Sequence, residues 1–150
     1  MKNIFQKEIV QEVVSRIDAL SESTSPQWGK MNVAQMLAHC SITYEMVYTD
    51  KHKKPNTFVK FMLKLLVKPS VCGNKKYPKN GKTAPQFLIK GNRDFKKEKK
   101  VLIAYINKTK NLGEAHFEGK ESHSFGKLST IEWNNMFYKH LDHHLTQFGV

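Results

Sequence analysis

Two histidines near the end of the chain have the spacing that a helix needs to bind one metal ion. A helix is predicted from Thr130 to Phe148, because Ser129 and Glu132 have the spacing of a capping box. His140 and His144 then lie one turn apart on the same face, where both imidazoles can direct a nitrogen at one ion. The alternative is a histidine-rich helix end that is solvated or favoured by the helix dipole.

His39 supplies a third imidazole from a distant part of the chain. A helix is predicted over residues 32–49, where Asn32 and Gln35 again have a cap-like spacing, and His39 shares a stripe of this helix with Thr43. Taken alone, the position of His39 is more typical of a buried histidine bonded to a carbonyl group than of a metal ligand. Together with the pair on the last helix, it gives three neutral imidazoles that leave at least one coordination position open, as catalytic metal sites do.

The elements that must position these histidines are helical. Long helices are predicted over residues 3–21, 32–49, 94–110 and 130–148, with a short helix over residues 57–67. Residues 68–93 are interrupted by proline and glycine, and we expect this long connection to contribute to the mouth of a site. The predicted fold is a single all-α domain, 1–150, built as a four-helix bundle with a long crossover between its second and third long helices.

Positive charge is concentrated in the middle of the chain. The net charge is +12, and residues 51–110 contain 18 lysines and arginines but only two acids, Asp94 and Glu98. An anionic partner such as nucleic acid, a lipid headgroup or an acidic small molecule is one interpretation. A solvated, solubilising surface is favoured, because no nucleic-acid motif accompanies the charge.

The short helix over residues 57–67 is amphipathic and too short to span a bilayer. We expect it to cover the core, with contact to an anionic membrane as the alternative. The first residues carry acids and no uninterrupted apolar run, so neither a secretory signal nor a membrane span is expected, and the expected location is cytoplasmic. Cys40 and Cys72 lack CxxC spacing, and both are expected to be reduced.

Two segments of the chain resemble a known family. WGKMNVAQMLAHC, residues 28–40, and SFGKLSTIEWNNMFYKHLDHHLTQFGV, residues 124–150, resemble the DUF1569 group of the DinB/YfiT-like superfamily. In that superfamily a helical bundle carries one histidine on its second helix and an HxxxH pair on its fourth, followed three residues later by glutamine. The resemblance implies that His39, His140 and His144 are metal ligands, accompanied by Gln147.

The resemblance also implies a divalent metal ion, zinc or nickel, and relatives that act as thiol-dependent transferases or isomerases, or as hydrolases. A metal ion with exchangeable positions lowers the pKa of a bound water or thiol. We therefore predict an enzyme that activates water or a low-molecular-weight thiol for hydrolysis or thiol transfer on a small molecule. Gln147 is predicted to support the ligands, and further candidate helpers are His143, His123, Tyr44 and Glu45, for which a surface or core role is favoured.

Two rival hypotheses remain open at the level of sequence. One is a non-enzymatic binding or stress-response module whose basic middle third contacts nucleic acid or another anion. The other is a structural bundle in which the histidines bond to one another without a metal ion. Exposed faces of bundles often pair, so a homodimer is a further open expectation.

Overall fold

A computed structural model describes all residues, 1–150, and its architecture is all-α, as predicted. Six helices are present: α1 (Lys7–Asp18), α2 (Val33–Tyr48), α3 (Thr57–Leu66), α4 (Lys68–Cys72), α5 (Phe95–Phe117) and α6 (Thr130–Gln147). Strands β1 (Glu121–Ser122) and β2 (Gly126–Lys127) form a small antiparallel hairpin. None of the helices is both long enough and apolar enough to cross a lipid bilayer.

The two helices that carry the histidines begin at the predicted capping boxes. The side chain of Asn32 accepts from the backbone of Gln35, whose own side chain accepts from the backbone N–H of Asn32. Ser129 and Glu132 make the same reciprocal pair at the start of α6. Because each box satisfies two backbone N–H groups that the helix leaves unpaired, the start of α2 and the start of α6 are fixed by local sequence.

Aromatic packing holds α2 against α6. Tyr44 of α2 stacks on Phe137 of α6 with ring centroids 4.9 Å apart, and Trp133 stacks on the same ring at 5.5 Å. Phe117 meets Phe137 edge-on at 5.6 Å. All four rings are buried, and burial of large aromatic side chains is among the strongest contributions to a core. This cluster sets the distance between the two helices that present the histidines.

Several predicted boundaries differ from the structure. The first helix is shorter than predicted, ending at Asp18, and the third long helix does not finish at Gly113. Gly113 has φ 73° and ψ 173°, a backbone conformation open to glycine, and a second helical segment continues from this kink to Phe117. The predicted loop over residues 68–93 contains α4 and a short 3-10 turn at Pro85–Phe87.

The prediction that the short amphipathic helix covers the core is met only at Leu63, which is partly buried against it. None of the residues of α3 is buried. Its other large apolar side chains face outward, and Phe58 and Leu66 are 72% and 70% exposed. The apolar face of α3 therefore remains without a partner within the chain. Periodicity identified the helix and could not say which way its apolar face would point.

Candidate metal centre

Three histidines from two helices meet between α2 and α6. One ring nitrogen from each of His39, His140 and His144 lies within 4.8 Å of one from each of the others. The Nε2 atoms of His39 and His140 are 2.9 Å apart. Two nitrogens bound to one ion at ~2.1 Å lie about 3.0–3.4 Å from each other at octahedral or tetrahedral angles. The three imidazoles are thus close enough to share an ion.

The backbone of the loop between α4 and α5 fixes the tautomer of His39. Its Nδ1 lies 2.9 Å from the carbonyl oxygen of Phe87, and a carbonyl oxygen can only accept. Nδ1 must therefore carry the proton, and the neutral ring presents an unprotonated Nε2 toward His140. A ring nitrogen that donates outward while the other faces the centre is the usual arrangement of a metal-binding histidine.

Gln147 fixes His144 in the same way. Its side-chain nitrogen donates to the carbonyl oxygen of Trp28, so its side-chain oxygen must be the atom that lies 2.8 Å from Nδ1 of His144. His144 therefore donates from Nδ1 and keeps the lone pair on Nε2. Gly29 adjoins this contact with φ +87°, and a Cβ atom there would collide with the side-chain nitrogen of Gln147. Gln147 thus supports His144, one of the three predicted ligands.

His140 is held by Thr43, whose hydroxyl lies 3.0 Å from Nδ1. Two proton arrangements satisfy this pair, because a hydroxyl can donate or accept. If Thr43 donates, His140 donates from Nε2 to His39 and no ion is needed. If Thr43 accepts, the bare Nε2 atoms of His39 and His140 face each other, and a cation between them removes the repulsion. In the second arrangement the bare nitrogen of His144 can bind the same cation.

The electrostatic environment keeps all three imidazoles neutral. Burial lowers the pKa of His144 to about 3, with a further contribution from the neighbouring His39. Burial also lowers the pKa of His140 well below its ordinary value, and the adjacent His144 adds to the shift. The pKa of His39 is lowered by burial, against which the hydrogen bond to Phe87 acts. Neutral imidazole is the form that binds metal ions, so the cluster is ready to do so at neutral pH.

Aromatic side chains from the loop between α4 and α5 adjoin the histidines. The ring of Phe87 lies 5.5 Å from that of His39 and 6.0 Å from that of His140. Tyr77 approaches His140 edge-on at 6.4 Å and His143 at 5.6 Å. The connection predicted at the mouth of a site therefore does lie beside the histidines, where its rings limit the access of water.

A second group of side chains extends the cluster toward the surface. The ring of His143 lies 5.0 Å from that of His144 and 6.0 Å from that of Trp28. The ammonium group of Lys79 sits 4.3 Å from the centre of the Trp28 ring, within the range of a cation–π contact. His143 is half-buried, and of the candidate helpers it and Gln147 are the two that lie at the histidine cluster.

The remaining candidate helpers lie elsewhere. His123 bonds to the hydroxyl of Ser124 and to the carbonyl of His52, and it has no contact with the three histidines. Tyr44 is buried in the aromatic core, and its hydroxyl has no hydrogen-bond partner. Glu45 pairs with Lys51 and His52. His123, Tyr44 and Glu45 therefore occupy the surface and core positions that the sequence favoured for them.

Sequence reasoning missed some residues that hold the cluster. Thr43 was predicted to lie on the same side of its helix as His39. Its hydrogen bond to His140 was not predicted. Phe87 contributes a backbone carbonyl from a loop, and no residue type is required to supply that group. Trp28 likewise contributes a backbone carbonyl, which positions Gln147.

An all-α chain with three converging imidazoles, each held through its outward nitrogen, defines a helical protein with a candidate three-histidine metal centre. The chain belongs to the family described as "Protein of unknown function (DUF1569)", whose profile matches residues 4–149. The resemblance to the DUF1569 group is thereby confirmed over nearly the whole chain. No curated protein and no solved structure matches it.

Proposed function

We propose that this protein is a metal-dependent enzyme of the DinB/YfiT-like type. In this proposal α1, α2, α5 and α6 form the four-helix bundle of that superfamily, and His39, His140 and His144 bind one divalent ion, zinc or nickel. The observation that carries the proposal is the geometry of the three outward nitrogens, which lie within 3.0 Å of the Phe87 carbonyl, the Thr43 hydroxyl and the Gln147 side chain respectively and leave the inner nitrogens to converge. The donor set fits the ion on this ground.

The reaction class is hydrolysis or thiol transfer on a small molecule in the cytoplasm. A divalent ion with free coordination positions supplies a water or thiol of lowered pKa, which is nucleophilic at neutral pH. The protein's own groups orient the imidazoles and exclude bulk water through Phe87 and Tyr77. His143 and Lys79 both lie next to Trp28, on the side of the histidine cluster that is nearer the surface. In this proposal a substrate enters there, and the two side chains donate hydrogen bonds to it or to the acidic group of a low-molecular-weight thiol.

Metal content tests the proposal. Wild-type protein and the double variant His140→Ala/His144→Ala are purified without a nickel column and analysed by elemental mass spectrometry. We expect close to one equivalent of zinc or nickel in the wild type and almost none in the variant. The matched control is His143→Ala/His116→Ala, which removes two imidazoles and none of the three proposed ligands. Equal metal content in wild type and the first variant would reject the centre.

The enzymatic part of the proposal has its own test. Metal-loaded protein and the metal-free protein are assayed with activated ester substrates and with an electrophilic substrate plus a low-molecular-weight thiol. Turnover should require both the ion and the intact triad. Suppose that the protein binds one equivalent of the ion but catalyses neither reaction faster than the double variant does. The metal centre would then stand, and the proposed reactions would be rejected.

The basic middle third supports a second candidate function, a binding or stress-response module for an anion. Twelve lysines and arginines lie between Asp50 and Asp94, and no acid interrupts them. The discriminating measurement is binding to DNA over a range of salt concentrations. Affinity that falls steeply with salt and does not change in the His140→Ala/His144→Ala variant would favour this function over the enzyme.

A further inference from the structure

The outward side of α3 is an apolar surface. Two phenylalanines, Phe58 and Phe61, are 72% and 56% exposed, and two leucines, Leu65 and Leu66, are 55% and 70% exposed. With Met62 they form one continuous side of the helix, which we call the α3 apolar face. Single exposed apolar residues are common on folded proteins, whereas a contiguous set of this size indicates a binding surface.

This orientation is held by contacts on the opposite side of the helix. Lys60 pairs with Glu121 of β1, and Leu63 is partly buried against the core. Beyond the end of α3, Lys68 pairs with Glu132 of α6 at 2.7 Å. Of the two lysines of α3, Lys60 is thus directed toward the β1–β2 hairpin, whereas Lys64 is exposed. The apolar face is consequently fixed in the outward direction.

The positive charge around the α3 apolar face favours an anionic partner. The segment from Lys51 to Arg93 contains no acidic residue, and the acids that approach α3, Glu121 and Glu132, are both paired with lysines. Lys53, Lys54 and Lys64 are exposed near the helix. A second copy of the chain would bring this cationic surface against itself, which disfavours self-association. An anionic surface with an apolar interior satisfies both the charge and the exposed rings.

We propose that the α3 apolar face docks on the surface of an anionic lipid bilayer. The phenylalanines and leucines enter the boundary between headgroups and acyl chains, and the surrounding lysines contact the headgroups. The helix lies in the plane of the surface, since its ten residues are too few to span it. This binding does not depend on whether the histidine cluster holds a metal ion.

Co-sedimentation with lipid vesicles tests the proposal on the full chain. The vesicles contain phosphatidylcholine alone or phosphatidylcholine with about 30 mol% phosphatidylglycerol. Wild type should bind the anionic vesicles at low salt and bind the neutral ones far less. The variant Phe61→Ser/Leu65→Ser, which leaves the charge unchanged, should lose about tenfold or more in partition coefficient. The matched control Leu112→Ser/Ile131→Ser removes two apolar side chains exposed elsewhere on the surface and should bind like wild type.

A tryptophan at the face gives an independent readout. In Phe61→Trp, addition of anionic vesicles should shift the emission to shorter wavelength, and brominated lipids should quench it. Three results would overturn the proposal. One is no wild-type binding to anionic vesicles, and another is unchanged binding by the serine variant, which would mean attraction by charge alone. The third is a wild-type dimer in light scattering that the serine variant loses, which would assign the face to a second copy.

Discussion

The histidine cluster and the α3 apolar face differ in how far their side chains are buried. In the cluster, each imidazole is held from behind by a separate partner, and the rings are largely removed from water. On α3, the side chains are fixed at the back by Lys60 and Leu63, and their apolar ends are left in solvent. In our proposals the first region binds a single metal ion, and the second binds the surface of a lipid bilayer.

The comparison shows where chemical specificity lies in this chain. The cluster draws on residues from both ends of the sequence and on one loop, so it exists only in the folded protein. The α3 face is contained within ten consecutive residues and needs only a helix. Changes at the cluster should therefore alter metal binding and stability together, whereas changes at α3 should leave the folded state almost untouched.

The largest expected difference concerns two phenylalanines of equal size. Phe137→Ala removes the ring between Tyr44 and Trp133 and should lower the free energy of unfolding by about 3–5 kcal/mol. Phe58→Ala on α3 should change it by less than about 0.5 kcal/mol. Urea unfolding of both variants measures the difference. A comparable loss in Phe58→Ala would mean that α3 contributes to the core after all.

The partner of His144 gives the next largest effect. Gln147→Ala removes the acceptor at Nδ1 and the donor to Trp28, and it should weaken zinc or nickel affinity by about tenfold to a hundredfold. Gln11→Ala, at an exposed position of α1, is the matched control and should leave affinity unchanged. Competition with a chromophoric chelator measures both. Wild-type affinity in Gln147→Ala would show that the glutamine does not support a ligand.

Acidification should destabilise the metal-free protein because the imidazole ring of His144 is buried. Unfolded His144 binds a proton below its ordinary pKa of about 6.5, whereas the folded ring has a pKa of about 3. The unfolded state therefore binds more protons, and stability falls as the pH drops below 6.5, by about 2 kcal/mol for this residue by pH 5. Denaturant unfolding across this range should give a smaller slope in His144→Asn. Equal slopes would contradict a buried, neutral His144.

The smallest expected effect comes from a single hydroxyl. Thr43→Val keeps the shape of the side chain and removes the partner of Nδ1 in His140, so metal affinity should fall by about tenfold. Thr43→Ser keeps the hydroxyl and should stay within about threefold of wild type. Isothermal titration of both variants separates the hydrogen bond from the packing. A loss shared equally by valine and serine would assign the effect to packing.

Patterns among residues close in the sequence were enough to predict the helices, whereas the site also depends on contacts between residues far apart in the sequence. The capping residues Asn32 and Ser129 and the spacing of His140 and His144 were readable, because each depends on neighbours within one turn. The all-α class followed from the same periodicity, and the identity of the third ligand was predicted by combining the stripe of His39 with the resemblance.

The remaining features depend on contacts that a single sequence does not display. The carbonyl of Phe87 reaches His39 from 48 residues away, and any residue type offers the same backbone group. On the side of α3 opposite its apolar face, Lys60 pairs with Glu121, a contact that periodicity cannot assign. The helical segment after Gly113 was missed because glycine at that position ends one helix and also permits the kink into another.

Anomalous X-ray diffraction from crystals of tag-free protein, recorded at the zinc and nickel absorption edges, tests the central claim most directly. The predicted result is one peak between α2 and α6, at ~2.1 Å from a ring nitrogen of each of His39, His140 and His144. The absence of any peak there in protein that had been supplied with both metals, with the Nε2 atoms of His39 and His140 still 2.9 Å apart, would contradict it.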